Sequence, residues 1–97
     1  MTDSIWFSGA DISLEGMNAL NDNTICRAIG IEFTEVGPDY LCGTMPADSR
    51  TFQPFGLIHG GANVVLAETL GSVGANLLVD TSKYYCVGQE VNANHLR

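Results

Sequence analysis

The sequence predicts an α+β domain in which an antiparallel sheet curls around one long helix. Three observations lead there. From about Gly60 to Asp80 the chain has no proline, and Val64, Val65, Leu66, Leu70, Val73, Leu77 and Leu78 leave no polar face wide enough for solvent. A helix apolar nearly all round belongs inside something. Ahead of it, Ile31-Glu32-Phe33-Thr34-Glu35-Val36 and Leu41-Cys42-Gly43-Thr44-Met45 alternate at period two on either side of Gly37-Pro38-Asp39, the pattern of a hairpin. After it, Tyr84 to Arg97 reads as one long strand, with Val87, Val91 and Ala93 on one side and His95 and Arg97 continuing the alternation.

The remaining elements follow in chain order. The start, Met1-Thr2-Asp3-Ser4-Ile5-Trp6-Phe7, has neither the basic region nor the sustained apolar run of a secretion signal. Ile12 to Asn21 is expected to be a short helix, with Ser13 as N-cap, Glu15 in the first turn and Leu14, Met17 and Leu20 as its apolar stripe. Asn21-Asp22-Asn23 ends it with turn chemistry, and Thr24 to Ile29 makes a further helical turn before Gly30. Asp48-Ser49-Arg50 opens the loop to Gln53, and Asp80-Thr81-Ser82-Lys83 connects the long helix to the last strand.

Ninety-seven residues make one domain at most, close to the lower limit for a self-sufficient core. With 45% hydrophobic and 15% charged residues the chain is expected to fold despite a net charge of −7. That acidity argues against nucleic-acid or anionic-membrane partners, which need basic patches. Cys26, Cys42 and Cys86 are odd in number, scattered and in no CxxC pattern. They read as reduced thiols of a cytoplasmic protein, not as a disulfide frame or a metal site.

The chemistry concentrates between Gln53 and Ser72. Glu68 is the only ionisable group between Gly61 and Val79. A lone carboxylate on a buried helix shifts its pKa upward or acquires dedicated partners. A membrane span is disfavoured by Glu68 at its centre and by the weakly apolar Gly60-Gly61-Ala62-Asn63. A core helix whose Glu68 merely pairs with a buried Arg is the plainer competitor. The approach loop favours chemistry. His59-Gly60-Gly61 would set bare backbone N–H groups at a helix N-terminus, suited to a carbonyl oxygen that becomes an oxyanion. Glu68 lies two turns further on, and Ser72 four residues beyond it on the same face. An amide (Gln53), an imidazole (His59), this N-terminus and a carboxylate together suggest acyl transfer or hydrolysis.

The run Gln53-Pro54-Phe55-Gly56-Leu57-Ile58-His59-Gly60-Gly61, followed by Ala67-Glu68-Thr69 and Ser72, resembles the hotdog-fold thioesterases of the 4-hydroxybenzoyl-CoA type. It is most similar to the bacterial branch that hydrolyses 1,4-dihydroxy-2-naphthoyl-CoA and related aryl-CoA thioesters. Met45-Pro46-Ala47-Asp48-Ser49-Arg50 and Val91-Asn92-Ala93-Asn94-His95-Leu96-Arg97 extend the likeness from about Ile12 to Arg97. The resemblance implies that residues 1–97 are a single hotdog domain lacking the family's C-terminal strands, with no cofactor. It implies hydrolysis of an acyl-CoA thioester, with Glu68 as nucleophile or general base and the Gly60 N–H as oxyanion donor. Gln53 and His59 would orient the thioester, and Ser72 would help place water. Phe55, Gly61, His95 and Arg97 become candidate substrate contacts, the last two near the CoA nucleotide. The family forms dimers, often paired into tetramers, whose active sites combine Gln53, His59 and Gly60 of one subunit with Glu68 of its neighbour. The alternative from another class is a non-catalytic or remnant hotdog protein that binds acyl-CoA or acyl carrier protein.

Overall fold

The computed structural model describes residues 3–95. Its elements are α1 (Leu14–Ala19), α2 (Ile25–Ala28), β1 (Glu32–Val36), β2 (Leu41–Thr44) and α3 (Gly60–Asn76). Ser13 caps α1 as expected: its hydroxyl accepts the Gly16 N–H at 3.0 Å, satisfying a donor that the first turn leaves without a helical partner. Thr24 does the same for α2, accepting from Cys26 N at 3.2 Å.

The hairpin forms around the Gly37–Tyr40 turn, where Gly37 N donates to Tyr40 O at 2.9 Å. Its antiparallel register runs Phe33↔Gly43 and then Glu35↔Cys42, so Thr34 is an extra residue that bulges β1. Beside the bulge β1 is stitched to α1. The Asn18 carboxamide accepts from Phe33 N at 2.7 Å and donates to Phe33 O at 3.0 Å. Asn21, buried at the end of the same turn, donates to Ile31 O at 3.1 Å.

The core is Met17, Phe33 and Leu77, with Trp6, Ala10, Val36, Leu41, Leu70 and Val73 packed around it. Gly43 is glycine because Leu70 comes in from α3: a Cβ there would stand 3.0 Å from Leu70 Cδ2 and 3.1 Å from Glu32 O. Met17 is wholly buried where α1, β1 and α3 converge. Met17→Ala is therefore expected to destabilise the chain by about 2–5 kcal/mol, read as a lowered urea midpoint at constant slope.

Two expectations are corrected here. The described residues from Tyr84 onward form no strand and join no sheet, and the sheet has two strands. Helix α3 forms as read but is not enclosed: none of its residues is buried, and Ala67, Glu68 and Gly71 are exposed. The two strands cover only the side carrying Leu70 and Val73, so much of an all-round apolar helix has no sheet against it. Nothing among the described residues lies within 4 Å of a Cβ placed on Gly71 or Gly74. Among the described residues no helix is long and apolar enough to cross a membrane.

Candidate active site

The loop before α3 is held by Thr51, which is 1% exposed. Its hydroxyl donates to Pro46 O at 2.7 Å, and its carbonyl accepts the His59 N–H at 2.7 Å. Between these residues the chain doubles back: Phe52 and Ile58 form an isolated antiparallel bridge, and Gln53 N donates to Leu57 O at 2.7 Å. Gly56 closes the turn at φ +84°, a conformation open to glycine at little cost. The loop thereby brings Gln53 and His59 to the start of α3. Thr51 was not foreseen as a positioning residue; a lone Thr in a polar loop carries no sequence signal for burial.

His59 is the N-cap of α3, and its Nδ1 accepts the Gly61 N–H at 2.8 Å. Two consequences follow. The Gly61 donor is used inside the protein, so the expected row of bare N–H groups shrinks to the Gly60 N–H, which no described residue accepts. In the neutral imidazole the proton then sits on Nε2, which makes that atom a donor. Gln53 is fixed in a similar way: its Oε1 accepts from Phe55 N, leaving the amide NH2 to donate. The head of α3 thus carries three donors, Gln53 Nε2, His59 Nε2 and Gly60 N, of which His59 is exposed and does not line the cavity that Gln53 and Gly60 share.

A cavity of about 550 Å³ opens at this point, lined by Gln53, Leu57, Ile58, Gly60, Asn63 and His95. The His95 ring packs over Gly60, its Cε1 3.2 Å from where a Cβ on that glycine would be. His95 therefore belongs to the donor cluster geometrically. Phe55 is 89% exposed at the loop tip and touches no cavity lining. Arg97 lies outside the described residues.

Glu68 and Ser72 are elsewhere. They share one cavity of about 270 Å³ with Ala75, Cys86, Gly88 and Val91, and a second of about 450 Å³ with Ile25, Val65 and Val73. Eight residues of helix separate Glu68 from Gly60, about 12 Å along the axis and about 80° around it. One chain does not bring the carboxylate to the donors. The expectation of a buried carboxylate is corrected as well: Glu68 is exposed, because the two-stranded sheet does not reach its side of α3.

Two of the chain's four lysine and arginine side chains are engaged in ion pairs. Arg27 pairs with Asp22 at 2.7 Å and Arg50 with Asp48 at 2.6 Å. Hydrogen bonds from the Arg50 side chain, and then from its backbone N–H, hold the Asp48 carboxyl below its ordinary pKa. The described residues contain no cluster of His, Cys, Asp and Glu able to hold a metal, and Cys26, Cys42 and Cys86 are free thiols.

No family model matches the chain. Individual proteins do. The 1,4-dihydroxy-2-naphthoyl-CoA hydrolase of Escherichia coli is 51% identical over 86 residues, 89% of this chain and 62% of that protein. A mutant thioesterase from Pseudomonas aeruginosa, known by crystal structure, superposes with a TM-score of 0.89 at 56% identity, over 97% of this chain and 66% of the other. A thioesterase crystal structure from Haemophilus influenzae gives a TM-score of 0.87 at 43% identity, over 96% and 63%. The chain spans 60–63% of the length of these curated relatives. The long helix and the hairpin beside it are the hotdog arrangement with part of its sheet. In sequence and in fold the chain is similar to these bacterial thioesterases over somewhat less than two thirds of their length.

Proposed function

We propose that the chain hydrolyses an acyl-CoA thioester, in a site assembled from two copies. The observation that carries this reading is the division of labour along α3: hydrogen-bond donors at its N-terminus, and a carboxylate with a hydroxyl two to three turns on. The thioester carbonyl oxygen accepts the Gly60 N–H, strengthened by the helix terminus, while Gln53 Nε2 and His59 Nε2 orient the ester. Glu68 either takes a proton from water as the water adds to the carbonyl carbon, or adds itself and is released by water; Ser72, one turn away, positions that water. The C–S bond breaks, and the thiolate leaves with a proton as free CoA. An aromatic acyl group is the preferred substrate on the strength of the kinship with the naphthoyl-CoA hydrolase.

Because Glu68 sits about 12 Å from Gly60 on a rigid helix, the carboxylate is supplied by a second copy. Co-expressing a Glu68→Gln chain with a Gln53→Ala chain tests this. Each alone is expected to be nearly inactive. The mixture is expected to recover about a quarter of wild-type activity, since random pairing makes half of the dimers mixed and each mixed dimer holds one intact site of two. A mixture as inactive as its components would sink the shared site. A wild-type chain that binds a non-hydrolysable acyl-CoA analogue but releases no CoA from any thioester would make the protein a binder.

A further inference from the structure

Among the described residues the segment after Asp80 joins no sheet, yet one point of it is fixed to α3. The Asn76 carboxamide accepts from Cys86 N at 2.6 Å and donates to Cys86 O at 2.9 Å, the same reciprocal pairing that a neighbouring strand would provide. Its NH2 also donates to Ser72 O at 2.9 Å, which fixes the amide orientation. This clamp lays Cys86, Val87 and Gly88 along the helix as one wall of the cavity that holds Glu68 and Ser72. Gly88 does not take a left-handed φ, so its backbone does not require glycine. What requires it is Glu68. The three atoms nearest to a Cβ placed on Gly88 are all from that side chain: Oε1 in overlap, Cδ at 3.0 Å and Cγ at 3.3 Å.

From this we infer that Gly88, held against α3 by Asn76, is a positioning residue for the Glu68 carboxylate: its missing side chain is the space the carboxylate occupies. The inference rests on the catalytic role given to Glu68 above. An exposed glutamate has several rotamers of similar energy, and a nucleophile or base must be held in one of them. Contact with a bare backbone does this sterically, without a hydrogen-bond partner that would tie up the carboxylate oxygens.

Gly88→Ala tests it. The overlapping atoms are the far end of a flexible side chain, so the carboxylate swings aside and the thermal midpoint is expected to be unchanged. Displacement of a reacting group by about 1 Å can cost about a hundredfold; kcat is expected to fall on that order, with KM nearly constant. In a Glu68→Asp background the carboxylate retreats by one bond, and the same Gly88→Ala change is expected to lose most of its effect. An equal fold-loss in both backgrounds, or an unchanged kcat with Glu68 present, overturns the proposal. A crystal structure of the Gly88→Ala chain reads the same contact without any activity: a carboxylate turned out of the cavity is expected, and one left in place overturns it. Glu68→Gln at full activity would instead refute the catalytic reading, leaving the crystallographic arm to judge the contact.

Discussion

Glu68→Gln is expected to lower the turnover of an acyl-CoA thioester by about 10²–10⁴-fold, the range that a positioned general base contributes. The amide keeps the volume and shape of the carboxylate and removes its basicity. Glu68 is exposed, so the substitution breaks no buried network and the fold is expected to survive intact. KM should change little if the carboxylate has its proposed role, since it would then act on water or on the carbonyl carbon as the barrier is crossed, not on the resting substrate. Steady-state release of CoA with a range of aryl-CoA and alkyl-CoA esters is the measurement. Turnover within a few-fold of wild type would remove Glu68 from the chemistry.

The second large effect is expected at the Gly60 N–H. Replacing that amide by an ester removes one donor and leaves side chains untouched. Loss of a single oxyanion donor typically costs about 2.7–4 kcal/mol, a hundred- to a thousand-fold in kcat. Its neighbour supplies the control. The Gly61 N–H is held by His59 Nδ1 at 2.8 Å, so an ester there strikes the helix cap instead of the substrate. Loss of an N-cap interaction costs about 0.5–2 kcal/mol of stability, and kcat is expected to move far less. Equal kinetic losses at Gly60 and Gly61 would show that the start of α3 matters as a structure and that neither donor serves the oxyanion. Gly60→Pro is a poorer probe, because the ring also constrains φ and crowds His59.

The parts of this fold that were legible in sequence are those decided locally. Ser13, Thr24 and the Gly37–Tyr40 turn satisfy backbone donors within a few residues of themselves, so their chemistry is written in short words of sequence. The strand expected from Tyr84 onward failed for a non-local reason. Alternation marks a segment fit to pair, but a ladder needs a neighbour, and the described residues provide only the amide of Asn76. Glu68 was misplaced by the same logic, since composition says what a helix can bury and not how many of its faces meet protein. Within the loop, motif reading singled out Gln53, His59 and Gly60, which the structure sets in the loop before α3 and at its first residues. It overcounted the donors, because the use of the Gly61 N–H by His59 Nδ1 depends on a rotamer. Thr51, Asn76 and Gly88 escaped because each acts through another residue's backbone or side chain, at long range from its own neighbours in sequence.

The unbroken run of α3 from Gly60 to Asn76 acts as a measuring rod. Donor and carboxylate are carried on one rigid element, with no proline or loop between them to take up slack. Adding a single residue between Gly61 and Glu68 would advance the carboxylate by about 1.5 Å and swing it by about 100° around the axis. Loops tolerate such insertions; a helix transmits them in full to its far end. In an assembly with twofold symmetry the error would enter both sites at once and with the same sign. In the proposed site the length of this interval is consequently as much a part of the chemistry as the identity of the residues at its two ends. Lineages that preserve the activity are expected to vary the loop around Gly56 in length before they vary the eight-residue step from Gly60 to Glu68.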